Sequence, residues 1–147
     1  MATQSKTAVS SVADQAGKQK PPAFIFGSRP ETITAEVSFV RVTGEVHEMV
    51  CQFKYRTRRE FGELWDKVSD AKIPQPASGE KFSFAGLADS GLEFSVERTL
   101  QYLAGWDLDI ELDKAALLQL FDEEPNAAAA FWEAYRSALV DGRVKNS

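Results

Sequence analysis

The stretch that decides the fold is residues 32–68, which read TITAEVSFVRVTGEVHEMVCQFKYRTRREFGELWDKV. Apolar and polar side chains alternate from Thr32 to Arg41 and again from Met49 to Tyr55, and this period of two predicts half-buried strands. The sequence Thr-Gly-Glu at 43–45 separates the two runs and is typical of a turn. The pattern therefore predicts an antiparallel β-hairpin.

A helix is predicted directly after the hairpin. Thr57 precedes Glu60 by three residues, which is the spacing of a capping box, where each side chain accepts a hydrogen bond from the other residue's backbone N–H. We expect the helix to end near Ala71. Its apolar stripe consists of Phe61, Leu64, Trp65 and Val68.

The rest of the chain predicts a long loop and three more helices. Residues 74–91 contain two prolines, three glycines and three serines, which indicates a surface loop. Ser95 and Asp113 are expected to cap two short helices, of which the first ends at Gly105. Pro125 is expected to begin the last helix, because its fixed φ suits the first helical position. The predicted core-facing residues of this last helix are Ala128, Phe131, Trp132, Tyr135 and Leu139.

The fold class that follows is α+β, with an N-terminal β-hairpin, about four α-helices and a C-terminal helical hairpin. A chain of 147 residues, 44% of them hydrophobic, is long enough for one packed core. Residues 1–22 are polar and carry no aromatic side chain, so we expect a disordered arm there. We expect residues 23–147 to form a single domain that includes the loop at 74–91.

The composition argues against an enzyme. The only cysteine and the only histidine, Cys51 and His47, lie four residues apart on a predicted strand, or about 13 Å, beyond hydrogen-bond reach. The acids that follow Asp107 do not form a calcium loop, because positions six and twelve of that motif are Leu112 and Leu118. We therefore predict no catalytic residue, metal or cofactor. No apolar run is long enough to predict a membrane span.

Charge is unevenly distributed along the chain. Residues 1–73 carry 11 basic and nine acidic side chains, whereas residues 74–147 carry six and 13, for a net charge of −5. The only basic cluster is Lys54, Arg56, Arg58 and Arg59. Its two last members fall in the first helical turn, where the helix dipole disfavours cations. Either the acidic half of the chain or an acidic partner can hold them, and both interpretations stay open.

Four cations on an acidic chain release few counterions, which argues against binding to nucleic acid as the role of this cluster. A small nucleic-acid-binding regulator that uses Lys54 to Arg59 nevertheless stands as the alternative function. Four alanines at 127–130, followed by Phe131 and Trp132, fit a groove for a partner helix and fit internal packing equally well.

Two segments resemble the tail assembly chaperones of tailed bacteriophages and prophages. Residues 53–61, FKYRTRREF, are similar to the strand-to-helix junction of that family. A longer segment shares the family's order of a Gly-Trp-acid element, a Leu-rich short helix, a Pro-started helix and a basic ending before Asn. The arm and the 74–91 loop have no counterpart there. The matching residues of the longer segment are Gly105, Trp106, Asp107, Leu117, Leu118, Phe121, Pro125, Ala129, Tyr135, Arg143, Lys145 and Asn146.

The resemblance implies a non-enzymatic protein of the host bacterial cytoplasm that binds the phage tape measure protein, assists tail tube assembly and is absent from the mature virion. It implies the tail tube protein as a second partner, and self-association stays open. We hypothesise that Trp132 and Tyr135 lie near the surface of the C-terminal helical hairpin and contact the partner. The full set of expected partner-binding residues is Arg58, Arg59, Trp106, Phe131, Trp132 and Tyr135.

Overall fold

The structure, a computed structural model, describes residues 24–70 and 83–142 of the chain. The predicted arm at 1–22 and the first half of the predicted 74–91 loop, residues 74–82, lie outside these residues. So do three residues of the family resemblance, Arg143, Lys145 and Asn146.

The predicted hairpin is confirmed. Strand β1, Thr32–Val40, pairs antiparallel with β2, Val46–Lys54, and Val40 lies opposite Val46 at the end next to the turn. Gly44 has a φ of +91°, a backbone conformation that favours glycine, and donates its N–H to the Arg41 carbonyl over 2.8 Å. The alternating apolar side chains are buried on one face of the sheet.

A third strand extends the hairpin and was not predicted. Strand β3, Leu103–Trp106, pairs antiparallel with β2, so the sheet order is β1-β2-β3. The sequence indicated a helix ending at Gly105, and this prediction was wrong. Four residues carry too short a pattern to reveal a strand, whose pairing depends on a partner some 50 residues away. A Cβ at Gly105 would lie 2.7 Å from Gln52 Oε1, so a larger residue here would require the flexible Gln52 side chain to move.

Four helices appear in the described residues, and together with the sheet they confirm the α+β class. Helix α1 spans Arg58–Asp70, α2 spans Phe84–Leu100, α3 spans Lys114–Glu123 and α4 spans Ala127–Val140. Helices α3 and α4 pack on each other as the predicted helical hairpin.

Two of the predicted helix caps are confirmed. The Thr57 N–H donates to Glu60 Oε1 over 3.0 Å, and the Glu60 N–H donates to Thr57 Oγ1 over 3.2 Å, which completes the capping box of α1. Asp113 Oδ1 accepts from the Ala116 N–H over 2.8 Å at the start of α3.

Helix α2 begins much earlier than the sequence suggested. Ser83, not Ser95, caps it, so residues 84–91 are helical rather than part of a loop. Ser95 lies inside the helix, where its carbonyl accepts from Thr99 Oγ1 over 2.8 Å. The glycines of this stretch resemble turn signals, because glycine has a low helix propensity. The helix forms nevertheless, since Leu92, Val96 and Leu100 pack on the core.

Helix α4 begins two residues after Pro125. The intervening turn is fixed by Asn126, whose Nδ2 donates to the Val40 carbonyl over 2.9 Å. The buried stripe is also offset from the predicted one, because Ala128, Trp132 and Leu139 are only half-buried. Two adjacent stripes of this helix are apolar, so periodicity alone does not decide which of them faces β1. The buried stripe is Ala127, Phe131, Tyr135 and Ala138.

The buried face of the sheet and the inner faces of all four helices form one hydrophobic cluster, with α4 lying against β1. Across the described ranges, no helix combines the length and the apolar character that a membrane crossing requires.

Candidate functional site

An aromatic cluster forms where α1, α4 and the end of α2 meet. The rings of Tyr102 and Tyr135 stack at 4.7 Å between centroids, and Trp132 lies 5.5 Å from Phe61 and 5.7 Å from Trp65. Such pairs contribute about 0.5–1.5 kcal/mol each beyond the area they bury. We call Phe61, Trp65, Tyr102, Trp132 and Tyr135 the aromatic cluster.

The aromatic cluster reaches the surface only through its tryptophans. Tyr102 and Tyr135 are fully buried, whereas Trp65 is 43% exposed and Trp132 is half-buried. The expectation that Tyr135 lies near the surface was therefore wrong. Phe131 is fully buried as well, with its ring 5.7 Å from that of Phe121, so neither residue is placed to touch a partner directly.

The hydroxyl of Tyr135 ties the cluster to the hairpin. It donates to the Lys54 carbonyl over 2.9 Å and accepts from Arg56 Nη1 over 2.9 Å. Arg56 Nη2 donates to the Gln101 carbonyl over 3.1 Å, and Lys54 Nζ donates to the Leu100 carbonyl over 3.3 Å. Cations are favoured at the carbonyl end of a helix, here α2. Two of the four cations in the basic cluster, Lys54 and Arg56, thus stabilise the fold through hydrogen bonds.

The buried titratable groups of this region are not suited to proton transfer at neutral pH. Burial raises the pKa of Tyr102 to about 12 and also raises that of Tyr135, which Arg56 opposes. Burial, with a smaller effect of Asp107, raises the pKa of the Cys51 thiol to about 12, so the reactive thiolate is scarce. Within residues 24–70 and 83–142, no group of three or more His, Cys, Asp or Glu side chains is placed to hold a metal ion.

The remaining two cations, Arg58 and Arg59, are exposed in the first turn of α1 and form no ion pair with any described residue. A contact between the basic and acidic halves does exist, but it uses other residues. Glu124, with an 8% exposed side chain, accepts from Arg41 Nε over 3.1 Å and from the Val42 N–H over 3.0 Å. Sequence reasoning missed this role, since no local signal separates Glu124 from its neighbour Glu123.

Two further residues of α1 lie on the same side of the helix as the exposed Trp65. Arg58, Gly62 and Trp65 recur at i, i+4 and i+7 and so lie on the same side of the helix, and a Cβ at Gly62 would meet no atom within 4 Å. Arg59 lies on the adjacent side, about 120° from Trp65. We call Arg58, Gly62, Trp65 and the neighbouring Trp132 the tryptophan face.

A cavity of about 340 Å³ opens between α1 and α2 beside the tryptophan face. Val68 and Phe94 contribute apolar walls, and Arg98 joins the cavity to the face because its guanidinium lies 5.8 Å from the Trp132 ring. Arg98 Nε is buried and has no hydrogen-bond partner in the described part of the chain. The cavity can therefore take an apolar side chain together with a hydrogen-bond acceptor.

Trp106, the remaining tryptophan, occupies a different place. It lies on β3 opposite Cys51, and its indole N–H donates to the Ile110 carbonyl over 2.7 Å. Of the six expected partner-binding residues, the structure brings only Arg58 and Trp132 together on one exposed surface, with Arg59 at its side. Trp65 was missed because its place in the apolar stripe of α1 suggested a core residue.

Comparison with known protein families shows to which family the chain belongs. A family model described as phage tail assembly chaperone matches residues 22–146, which include the sheet, the capping box and the whole aromatic cluster. The match also covers residues 74–91, for which the sequence suggested no counterpart in the family. Searches among curated proteins and among solved structures gave no match. The chain belongs to the phage tail assembly chaperone family.

Proposed function

We propose that this chaperone binds the tape measure protein of its phage through the tryptophan face and so assists tail tube assembly. It acts in the host bacterial cytoplasm, brings the tail tube protein to the bound tape measure protein, and is absent from the mature virion. The role consists of binding and release and needs no catalytic group.

The observation that carries this proposal is the exposure of Trp65 and Trp132 beside an open cavity. Large aromatic side chains bury much apolar area, and they dominate the energetics of protein–protein contacts. The exposed fraction of Trp65 is 43%, so part of the apolar surface of the aromatic cluster remains in contact with solvent. A partner that covers it gains apolar burial without any rearrangement of the fold.

The shape of the tryptophan face favours a helical partner. Gly62 leaves space between Arg58 and Trp65, so that another helix can approach α1 closely. An amphipathic helix would place its apolar stripe on the two tryptophans, which is a common mode of peptide recognition. Arg58 at the edge and the unpartnered Arg98 Nε favour acidic side chains on the partner.

In this proposal, the expected partner-binding residues outside the tryptophan face do not form its central contact. Phe131 and Tyr135 hold α4 in place from beneath, because both are buried between this helix and the sheet. Arg59 contributes positive charge at the side of the tryptophan face, and Trp106 organises the segment that follows β3.

The proposal is tested by co-expressing the chaperone with the tape measure protein and measuring the amount that co-purifies. Trp65→Ala should weaken binding at least tenfold, since truncating an interface tryptophan commonly costs about 2 kcal/mol or more. Ile110→Ala is the matched control, because Ile110 is 54% exposed and lies outside the tryptophan face. Equal recovery of the tape measure protein by the folded Trp65→Ala variant and wild type would refute the proposal.

Reversing the charge of Arg58 tests its contribution at the edge of the tryptophan face. Arg58→Glu should reduce binding because it places an acid where acidic partner side chains are expected. Lys114→Glu is the control, since Lys114 lies on α3, outside the tryptophan face and the lining of the cavity, and its side chain is 53% exposed. A loss of binding that is the same for both variants would point to net charge rather than to this face.

Within the described part of the chain, the contacts of the basic cluster do not favour nucleic-acid binding. That alternative requires Lys54 to Arg59 as phosphate contacts, but Lys54 and Arg56 donate to protein carbonyls. The two exposed arginines that remain would give only a small counterion effect.

A further inference from the structure

Helix α2 carries apolar side chains on two opposite sides. Leu92, Val96 and Leu100 pack on the core. Val96 lies about 180° from Leu87 and about 160° from Phe94 around the helix axis. Leu87 is nevertheless 46% exposed and Phe94 is half-buried, although the outer side of a surface helix is normally polar. The outer side of α2 thus presents apolar surface that the core does not use.

Four residues of this outer side form a line along the helix. They recur at i, i+4, i+7 and i+11 and therefore lie on one side of α2. A Cβ at Gly91 would meet no atom within 4 Å, so the middle of the line is open to the backbone of a second helix. The last two residues of the line contribute to the cavity between α1 and α2. These four residues, which we call the outer stripe, are Leu87, Gly91, Phe94 and Arg98.

Arg98 ends the outer stripe as a cation that pairs with none of the described acids. Its guanidinium carbon lies 5.8 Å from the centroid of the Phe94 ring and 5.8 Å from that of Trp132, and both rings hold it in place. Its Nε is buried and has no hydrogen-bond partner among the described residues, which is unfavourable for a charged donor. A ligand that brings an acceptor to this atom would therefore be bound.

The other charged residues of the cavity are exposed and do not supply that acceptor. Glu97 pairs with Lys114 over 3.3 Å, and its side chain is 65% exposed. Glu93 and Lys67 are also exposed and form no ion pair with a described residue. Solvent and salt screen such charges more strongly than the buried edge of Arg98. A carboxylate is the acceptor whose two oxygens match the donors of a guanidinium, so the cavity favours a carboxylate next to an apolar side chain.

We propose that the outer stripe binds a further amphipathic helix of the tape measure protein, and that this helix carries an acidic residue. Its apolar side covers Leu87 and Phe94, Gly91 lets its backbone come close, and its carboxylate accepts hydrogen bonds from Arg98. The partner is the one named in the proposed function, on which this proposal rests. The contact surface on α2 is additional to the tryptophan face.

The test measures how much tape measure protein co-purifies with variants of the outer stripe. Gly91→Gln adds a side chain where no neighbour lies within 4 Å, so the chaperone should stay folded. The added side chain blocks the close approach of a helix, and binding should fall about tenfold, as expected for an overfilled contact. Ala115→Gln is the matched control, because it adds the same side chain at an exposed position of α3 outside both surfaces.

Arg98→Lys tests the predicted carboxylate. Lysine keeps the positive charge but loses the fork of donors, so binding should fall about tenfold. This difference from wild type should persist at high salt, because the contact is partly buried, whereas the contribution of the exposed Arg58 should fade. An effect of Arg98 on folding alone would not separate the two arginines in this way.

Circular dichroism verifies that each variant is folded, and Trp65→Ala is measured in parallel. Wild-type binding by folded Gly91→Gln or by folded Arg98→Lys, with Trp65→Ala impaired, would overturn this proposal and leave the tryptophan face in place. A wild-type chaperone that does not bind the tape measure protein would overturn both proposals.

Discussion

The two ends of the hairpin are held in place by the C-terminal half of the chain in different ways. Where β2 ends, the Tyr135 hydroxyl bonds the Lys54 carbonyl, and the stacked rings of the aromatic cluster lie behind it. At the turn between β1 and β2, Glu124 bonds the Val42 N–H and Arg41, and Asn126 bonds the Val40 carbonyl. One end therefore depends on buried rings and the other on a buried carboxylate, so substitutions should affect stability to different degrees.

The largest effect is expected at the aromatic end. Tyr135→Ala removes a ring that contacts Tyr102, Phe61 and Phe53, and truncating a buried aromatic side chain costs about 3–5 kcal/mol. Chemical denaturation measures the change in the free energy of unfolding. Tyr135→Phe keeps the ring and loses only the hydroxyl, so it should cost about 1 kcal/mol. Equal losses for the two variants would show that the hydroxyl, and not the stacking, holds this end.

A smaller effect is expected at the turn of the hairpin. Glu124→Ala leaves the Val42 N–H and Arg41 without their acceptor and should lower the free energy of unfolding by about 2 kcal/mol, since hydrogen bonds to charged groups are the stronger ones. The adjacent exposed Glu123→Ala should change it by less than about 0.5 kcal/mol. If the two variants were equally stable, the carboxylate of Glu124 would not be what fixes the turn of the hairpin.

Two arginines of the basic cluster, Arg56 and Arg58, are expected to differ in their effect on stability. Arg56→Ala should cost about 1 kcal/mol, because it removes the bonds to Tyr135 and to the Gln101 carbonyl. Arg58→Ala should be neutral or slightly stabilising, since its cation lies in the first turn of α1 and pairs with none of the described acids. Thermal unfolding of both variants measures the difference, and a greater loss at Arg58 would contradict the division of this cluster into structural and exposed cations.

The smallest effect is a dependence on pH at the start of α1. The Thr57 backbone N–H, with the Arg29 side chain, lowers the pKa of Glu60 below its ordinary value of 4.5. The folded state thus favours the charged form, and this contribution to stability is present above pH 4.5 and lost as the pH falls through the lowered pKa. Glu60→Gln should flatten the acid branch of the stability curve. An unchanged acid branch would show that this carboxylate does not contribute.

The features that the sequence predicted correctly depend on short-range signals. The strands of the hairpin follow from alternation over nine residues, and the capping box of Thr57 and Glu60 is complete within four. These elements also place α1, and with it Arg58, at the edge of the exposed surface.

The features that were missed depend on contacts between distant residues. Strand β3 forms by pairing with β2, which lies some 50 residues earlier in the chain, and the Asn126 side chain at the start of α4 bonds the Val40 carbonyl. Of the tryptophan face, the sequence predicted Arg58 and Trp132 but not Gly62 and Trp65, for the same reason. Two apolar stripes on α4 are equivalent in the sequence, and only packing on β1 buries Tyr135 and leaves Trp132 at the surface.

The most direct test of the proposed binding surface is hydrogen–deuterium exchange of the chaperone, alone and in complex with the tape measure protein. We expect slower exchange in the complex over residues 58–66 of α1 and 128–136 of α4, which carry the tryptophan face, in a Trp65-dependent manner. Protection confined to other parts of the chain, with these two segments unchanged, would contradict the proposal that this face binds the tape measure protein.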